Sequence, residues 1–138
     1  GKGFYVTDIY NQAKRWASVM MLRRPDSSAM VNVYELDVAR LSSANYKLLR
    51  FEGYNSEWLD FIVSSRQGKK PWIGYDLVEG GVANDRVFDT IENYIEGQIS
   101  KDIALGRLRY EKPNNQLCIL NQQLIDECLS FEECIIIK

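Results

Sequence analysis

Histidine is absent from all 138 residues of the chain. That removes imidazole acid–base catalysis, Ser-His and Cys-His nucleophile pairs, and every histidine-dependent metal site. Cysteine is scarce: Cys118, Cys128 and Cys134 form no CxxC pair, are odd in number and sit among apolar residues. They argue against a disulfide framework and a zinc site, and they read as buried free thiols in a reducing cytoplasm with no metal. No apolar run approaches the roughly 18 residues of a membrane span and no signal-peptide pattern opens the chain, so no membrane partner is expected. An excess of positive charge is also missing, since 17 Lys and Arg stand against 19 Asp and Glu for a net charge of -2. Nucleic-acid backbones are held by clustered cations, so the chain carries no strong nucleic-acid signal beyond a local group at Arg66, Lys69 and Lys70.

What remains is an ordinary domain composition, 46% hydrophobic and 26% charged, long enough for one good core. A single domain over residues 1–138 is expected. Gly3 to Thr7 reads as a strand, and Asp8 as the cap of a helix whose apolar positions Ile9, Ala13, Trp16, Ala17, Met20 and Met21 recur at helical spacing. Arg23-Arg24-Pro25 ends it. Alternation over Val31 to Leu36 predicts a strand, and Tyr46 to Phe51 predicts a second, its sheet neighbour, after a connector containing Leu41 and Ser42-Ser43. Ser56 is expected to cap a helix through Trp58, Leu59, Phe61, Ile62 and Val63, followed by a polar loop at residues 67–71. Tyr75 to Val78 reads as a strand halted by Gly80-Gly81. Asn84 or Asp85 then caps a helix that Gly97 closes, and Ser100 opens another. After Pro113-Asn114-Asn115 come a strand (Gln116 to Leu120), a short helix (Gln122 to Leu129) and a terminal strand (Phe131 to Ile137) in which Glu132 and Glu133 suit an edge. Strands and helices mix without regular βαβ spacing, which gives an α+β domain with mainly antiparallel strands.

Two segments carry the functional signal. Gly1-Lys2-Gly3-Phe4-Tyr5-Val6-Thr7-Asp8, running into helix residues 11–17, resembles the second motif of the ADP-ribosyltransferase superfamily. In its His-Tyr-Glu branch, a Gly-x-Gly-aromatic-Tyr strand sets a tyrosine against the nicotinamide of NAD. Tyr5 holds the matching position. Asn114-Asn115-Gln116-Leu117-Cys118-Ile119 resembles the strand start where that superfamily carries its catalytic Glu, and Gln116 stands there. The blocks 1–17, 31–37, 57–62, 75–91 and 110–126 resemble an uncharacterised bacterial domain family grouped with these transferases and often encoded beside a small partner, as in toxin–antitoxin modules.

The resemblance implies split antiparallel sheets with flanking helices, NAD as substrate, an unknown acceptor and a small antitoxin-like protein partner. It implies Gln116 at the catalytic position, with Gly3, Phe4, Tyr5, Thr7 and Asn115 binding the dinucleotide. The superfamily's first motif, a strand with a His that clamps the NAD ribose, should precede Gly1. Either the native protein extends upstream, or this is a degenerate member without the clamp. Asn84 and Asp85 are chiefly helix caps, although a capped helix start beside Gly80-Gly81 is also where a phosphate can be held.

Cleavage of the nicotinamide–ribose bond passes through an oxocarbenium-like state. It is helped by stacking the leaving ring and by an acceptor near the ribose hydroxyls. A carboxylate serves best there. Gln116 can position but contributes no negative charge, which favours mono-transfer, slow hydrolysis or binding. Two functions follow as expectations: an NAD-dependent mono-ADP-ribosyltransferase-like enzyme, or an inactive NAD- or ADP-ribose-binding or protein-interaction domain.

Overall fold

The structure is a computed structural model that describes residues 3–24, 26–111 and 114–137. The strands are β1 (Phe4–Val6), β2 (Met30–Leu36), β3 (Leu48–Arg50), β4 (Leu77–Gly80), β5 (Gln116–Ile119) and β6 (Leu129–Ile136). The helices are α1 (Tyr10–Arg23), α2 (Val38–Ser43), α3 (Ser56–Arg66), α4 (Asp85–Ile95), α5 (Lys101–Leu108) and α6 (Gln122–Cys128). The fold is α+β, with mostly antiparallel pairing, as the sequence predicts.

Local hydrogen bonds explain where most helices start. The Asn84 side chain accepts from the Val87 N–H at 2.9 Å, and that of Ser100 from the Ile103 N–H at 3.2 Å, each satisfying a first-turn donor. Three starts differ from expectation. The cap of α3 is Asn55 rather than Ser56, accepting from the Trp58 N–H at 2.8 Å. At α1 the cap position is Ile9, with no side-chain cap bond, so Asp8 does not cap it. Thr7 Oγ1 instead accepts from the Ile9 N–H at 3.1 Å. The connector around Leu41 is the short helix α2, capped by Asp37 on the Arg40 N–H at 3.0 Å.

The larger sheet runs β1-β5-β4-β3, and a separate ribbon joins β2 to β6. The expected β2–β3 pairing is therefore wrong. β3 lies parallel to β4, with α3 as the crossover that parallel strands require, while β2 finds an antiparallel partner of matching length at the far end of the chain. Tyr46 and Tyr75, expected within strands, lie just outside β3 and β4.

Side-chain alternation gives the larger sheet two different faces. Leu48, Leu77, Ile119 and Phe4 stand in register on one face. Leu77, Ile119 and Phe4 belong to a core with Leu124, Cys128 and Leu36, built against α6 and the ribbon, while Leu48 at the sheet edge is exposed. Leu49, Val78, Cys118 and Tyr5 stand in register on the other. That face meets a second core in which Trp58 and Leu59 of α3, Val87 and Ile91 of α4, and Ala104 and Leu108 of α5 are buried. The i, i+4 spacing of each α4 and α5 pair is why those helices pack there. Cys128 is buried as expected, whereas Cys134 is exposed.

A polar tie fixes α6 to the approach of β3. Tyr46 donates its phenol to Glu127 Oε2 at 2.9 Å, Gln123 Nε2 donates to Oε1 at 2.9 Å, and Arg40 lies 3.6 Å away. The hydrogen bonds from Gln123 and Tyr46 hold the Glu127 carboxyl below its ordinary value. A depressed carboxyl contributes stability in full above the unfolded value of about 4.3, and that stability is lost as pH falls through the lower folded value. Tyr46→Phe is therefore expected to lower thermal stability at pH 7 and to lose that difference progressively as pH falls below the ordinary carboxyl value. Paired melts check this; a difference independent of pH goes against the tie.

Candidate functional site

Antiparallel register places Tyr5 of β1 opposite Cys118 of β5, so both side chains leave the sheet on the same face. Gln116, two residues along β5, shares that face and stands opposite Gly80 of β4. A methyl group at Gly3 would run into Cys118 Sγ, so glycine is what lets β1 approach β5 there. Above this face is a cavity of about 200 Å³, bounded by Tyr5, Gln116 and Cys118 on the sheet side and by Trp58, Phe61 and Ile62 of α3 on the other. Trp72, from the loop after α3, and Ser65 complete the rim. Among the described residues no charged side chain lines it.

Tyr5 is 45% exposed. Partial burial of its phenol beside Cys118 nevertheless pushes the pKa up to about 12, so it remains a neutral hydrogen-bonding group. Burial also raises the Cys118 thiol, against a smaller opposing effect of Tyr5, so Cys118 stays protonated and is a poor nucleophile near neutral pH. The site thus offers aromatic faces, a carboxamide and neutral O–H and S–H groups. Such a lining can pack against a flat ring and hydrogen-bond to a few polar atoms on it.

A latch on the far side holds the cavity's glycine turn. Asn114 Oδ1 accepts from the Val82 N–H at 2.7 Å, Asn114 Nδ2 donates to the Tyr54 hydroxyl at 2.8 Å, and that hydroxyl donates to the Val82 carbonyl at 2.7 Å. Trp58 Nε1 donates to the Gly81 carbonyl at 3.2 Å. A Cβ at Gly81 would stand 2.5 Å from Tyr54 Cε1, so the latch closes only on glycine. The sequence analysis does not select Asn114 or Tyr54 as site residues and places Trp58 only among the apolar positions of a helix. The usable signal was the Gly80-Gly81 pair, whose missing side chains imply that something bulky packs close.

The other expected site residues lie elsewhere: among the described residues, Gly3, Phe4, Thr7, Asn84, Asp85 and Asn115 do not line the cavity. Phe4 turns to the opposite face and meets Tyr34 edge-on, with centroids 5.6 Å apart. Asn115 is the hub of a tie between β5 and the β1–α1 turn. Its carbonyl accepts from Thr7 Oγ1 at 2.6 Å and Gln12 Nε2 at 3.0 Å, and its Nδ2 donates to Glu79 Oε2 at 3.0 Å. Asn84 caps α4, and Asp85 occupies its first turn. Glu132 and Glu133 are exposed on β6, an edge strand.

A four-stranded sheet backed by helices, with a cavity free of charged lining groups among the described residues over one face, defines the class as an α+β domain. The chain belongs to the family described as "Protein of unknown function (DUF3990)", which matches residues 1–131. No curated protein and no solved structure matches it. Among the described residues, no helix is long and apolar enough to cross a membrane, and no group of three or more His, Cys, Asp or Glu is placed to hold a metal ion.

Proposed function

We propose that this chain is an NAD-dependent mono-ADP-ribosyltransferase-like protein of the bacterial toxin type. It would act in the cytoplasm on an unknown acceptor and be paired with a small antitoxin-like protein. The supporting observation is that Tyr5 and Gln116, 111 positions apart, line one cavity. A pocket of about 200 Å³ is smaller than the roughly 300–1,000 Å³ that encloses a drug-sized ligand, so it takes the nicotinamide end alone. The ribose and diphosphate would lie outside it.

In this reading the ring of Tyr5 packs against nicotinamide, and the Gln116 carbonyl accepts from a ribose hydroxyl. Cleavage breaks the C1′–N bond, with the electron pair leaving on the nicotinamide nitrogen. The acceptor's lone pair then bonds to C1′ and its proton passes to water. Trp72 and the α3 aromatics exclude solvent from the departing ring.

Nicotinamide release from NAD, followed by chromatography, tests this. Tyr5→Ala is expected to lower the rate by about tenfold or more, the loss of about 1.4 kcal/mol of ring contact, while Tyr5→Phe keeps most of it. No release above the buffer rate, or an unchanged rate in Tyr5→Ala, overturns the enzyme reading. One feature favours a second reading, an inactive NAD- or ADP-ribose-binding domain: the group facing the cavity is a carboxamide in a chain without histidine. Calorimetry separates the two, since binding of NAD or ADP-ribose without turnover supports the inactive domain.

A further inference from the structure

Among the described residues α1 is the one helix of more than eleven residues, yet it buries none of them fully. It packs chiefly on β2, with Ala13, Ala17 and Met20 half-buried. Its helical spacing predicts Trp16 on the inner stripe, but Trp16 is 61% exposed and Leu22 is 78% exposed. Residues three, four and seven apart share a helix face, so the exposed Arg15, Trp16, Leu22 and Arg23 and the half-buried Val19 form one strip with a cation at each end along the helix. Trp16 and Leu22, bridged by Val19 on the same face, give this strip the apolar anchors that a covering partner would bury.

Charge identifies the kind of occupant. Residues 10–24 carry Lys14, Arg15, Arg23 and Arg24 and no acid; with the whole chain at -2, the remainder carries -6. None of the four cations is in an ion pair among the described residues. The nearest acids in sequence, Asp8 and Asp26, lie beyond the helix ends, and Asp8 is 3.4 Å from Asn115 Nδ2. We propose that the outer face of α1 docks an acidic amphipathic segment of a partner protein. Its apolar side would cover Trp16, Val19 and Leu22, with carboxylates meeting Arg15 and Arg23. An anionic bilayer would attract the same strip, but it would also face the surrounding excess of negative charge, including the exposed Glu132 and Glu133 of the neighbouring ribbon. A narrow polypeptide need touch only the helix. None of the strip's residues lines the cavity, so this docking stands apart from the nucleotide reading.

The test titrates the whole chain with two synthetic helical peptides that share one leucine seam, one with glutamates and one with lysines at its margins, and separately with anionic phosphatidylserine vesicles. The glutamate peptide is expected to bind at least about tenfold tighter than the lysine peptide at about 50 mM salt, and to weaken as salt rises to about 300 mM. Trp16→Ala is expected to weaken it about tenfold, and Arg15→Glu with Arg23→Glu to reverse the preference. Arg15→Lys with Arg23→Lys should retain it, and unchanged melting curves certify that the variants are folded. Equal affinity for both peptides, binding of neither, or binding of vesicles alone overturns the proposal.

Discussion

Gln116→Glu is expected to raise nicotinamide release from NAD by about one to two orders of magnitude. The substitution keeps the size and branching of the side chain and replaces a neutral acceptor with an ionisable one, on the wall of a cavity that has no other charged lining group among the described residues. A unit charge about 4 Å from a developing cation is worth about 4 kcal/mol at an effective dielectric near 20. Partial charge in the transition state and incomplete ionisation consume part of that, leaving about 1.4–2.8 kcal/mol, or 10- to 100-fold. The same apolar walls raise the pKa of the new carboxyl, so the gain should grow with pH through that titration, a dependence the parent protein lacks. Gln98→Glu is the matched control: Gln98 is exposed and does not line the cavity, so it makes the same substitution without placing charge there. A Gln116→Glu variant that binds NAD but cleaves it no faster removes the catalytic assignment of position 116 and leaves the binding-domain reading standing.

What the sequence revealed depended on distance along the chain. Asn84 and Ser100 were legible as caps because each bonds an N–H three residues away, and the strand from Gln116 was legible from its own apolar run. The strand from Val31 was legible too, but its partner was not. Its β-branched pattern fits any pleated neighbour, and only the tertiary arrangement selects Leu129–Ile136 over Leu48–Arg50. Asp8 failed as a cap for a related reason: Thr7 meets the Ile9 N–H, and Asp8 lies near Asn115. The site divides in the same way. Tyr5 and Gln116 came from residue-by-residue resemblance, and the register of β1 on β5 explains how one cavity collects both. Tyr54 and Asn114 meet across 60 positions, so their hydrogen bond leaves no local pattern. Thr7 and Asn115, ligand contacts by resemblance, are joined by a hydrogen bond that helps fasten β1 to β5, a link across 108 positions with no local signature.

Trp58→Ala is expected to be among the most destabilising single changes in this domain, costing about 3–5 kcal/mol. Trp58 is 2% exposed, packs with Phe51 against Gly80, and meets the Tyr54 ring edge-on with centroids 4.7 Å apart. Truncation removes the apolar contact, leaves a void that the surrounding helices cannot collapse into, and deprives the Gly81 carbonyl of its Nε1 donor. Domains of this size retain only about 5–15 kcal/mol, so the melting temperature should fall by roughly 10–20 °C. Trp58→Phe isolates the polar part: it keeps a ring in the core but loses the N–H, and should cost about 1–2 kcal/mol, with the glycine turn loosened. Because Trp58 also walls the cavity, the Phe variant should bind NAD or ADP-ribose more weakly at a temperature where it remains folded. Differential scanning calorimetry of the three proteins checks the stability order. Equal melting of Trp58→Ala and the parent would mean that α3 is not fastened to the sheet through this side chain, and the cavity between them would lose its wall.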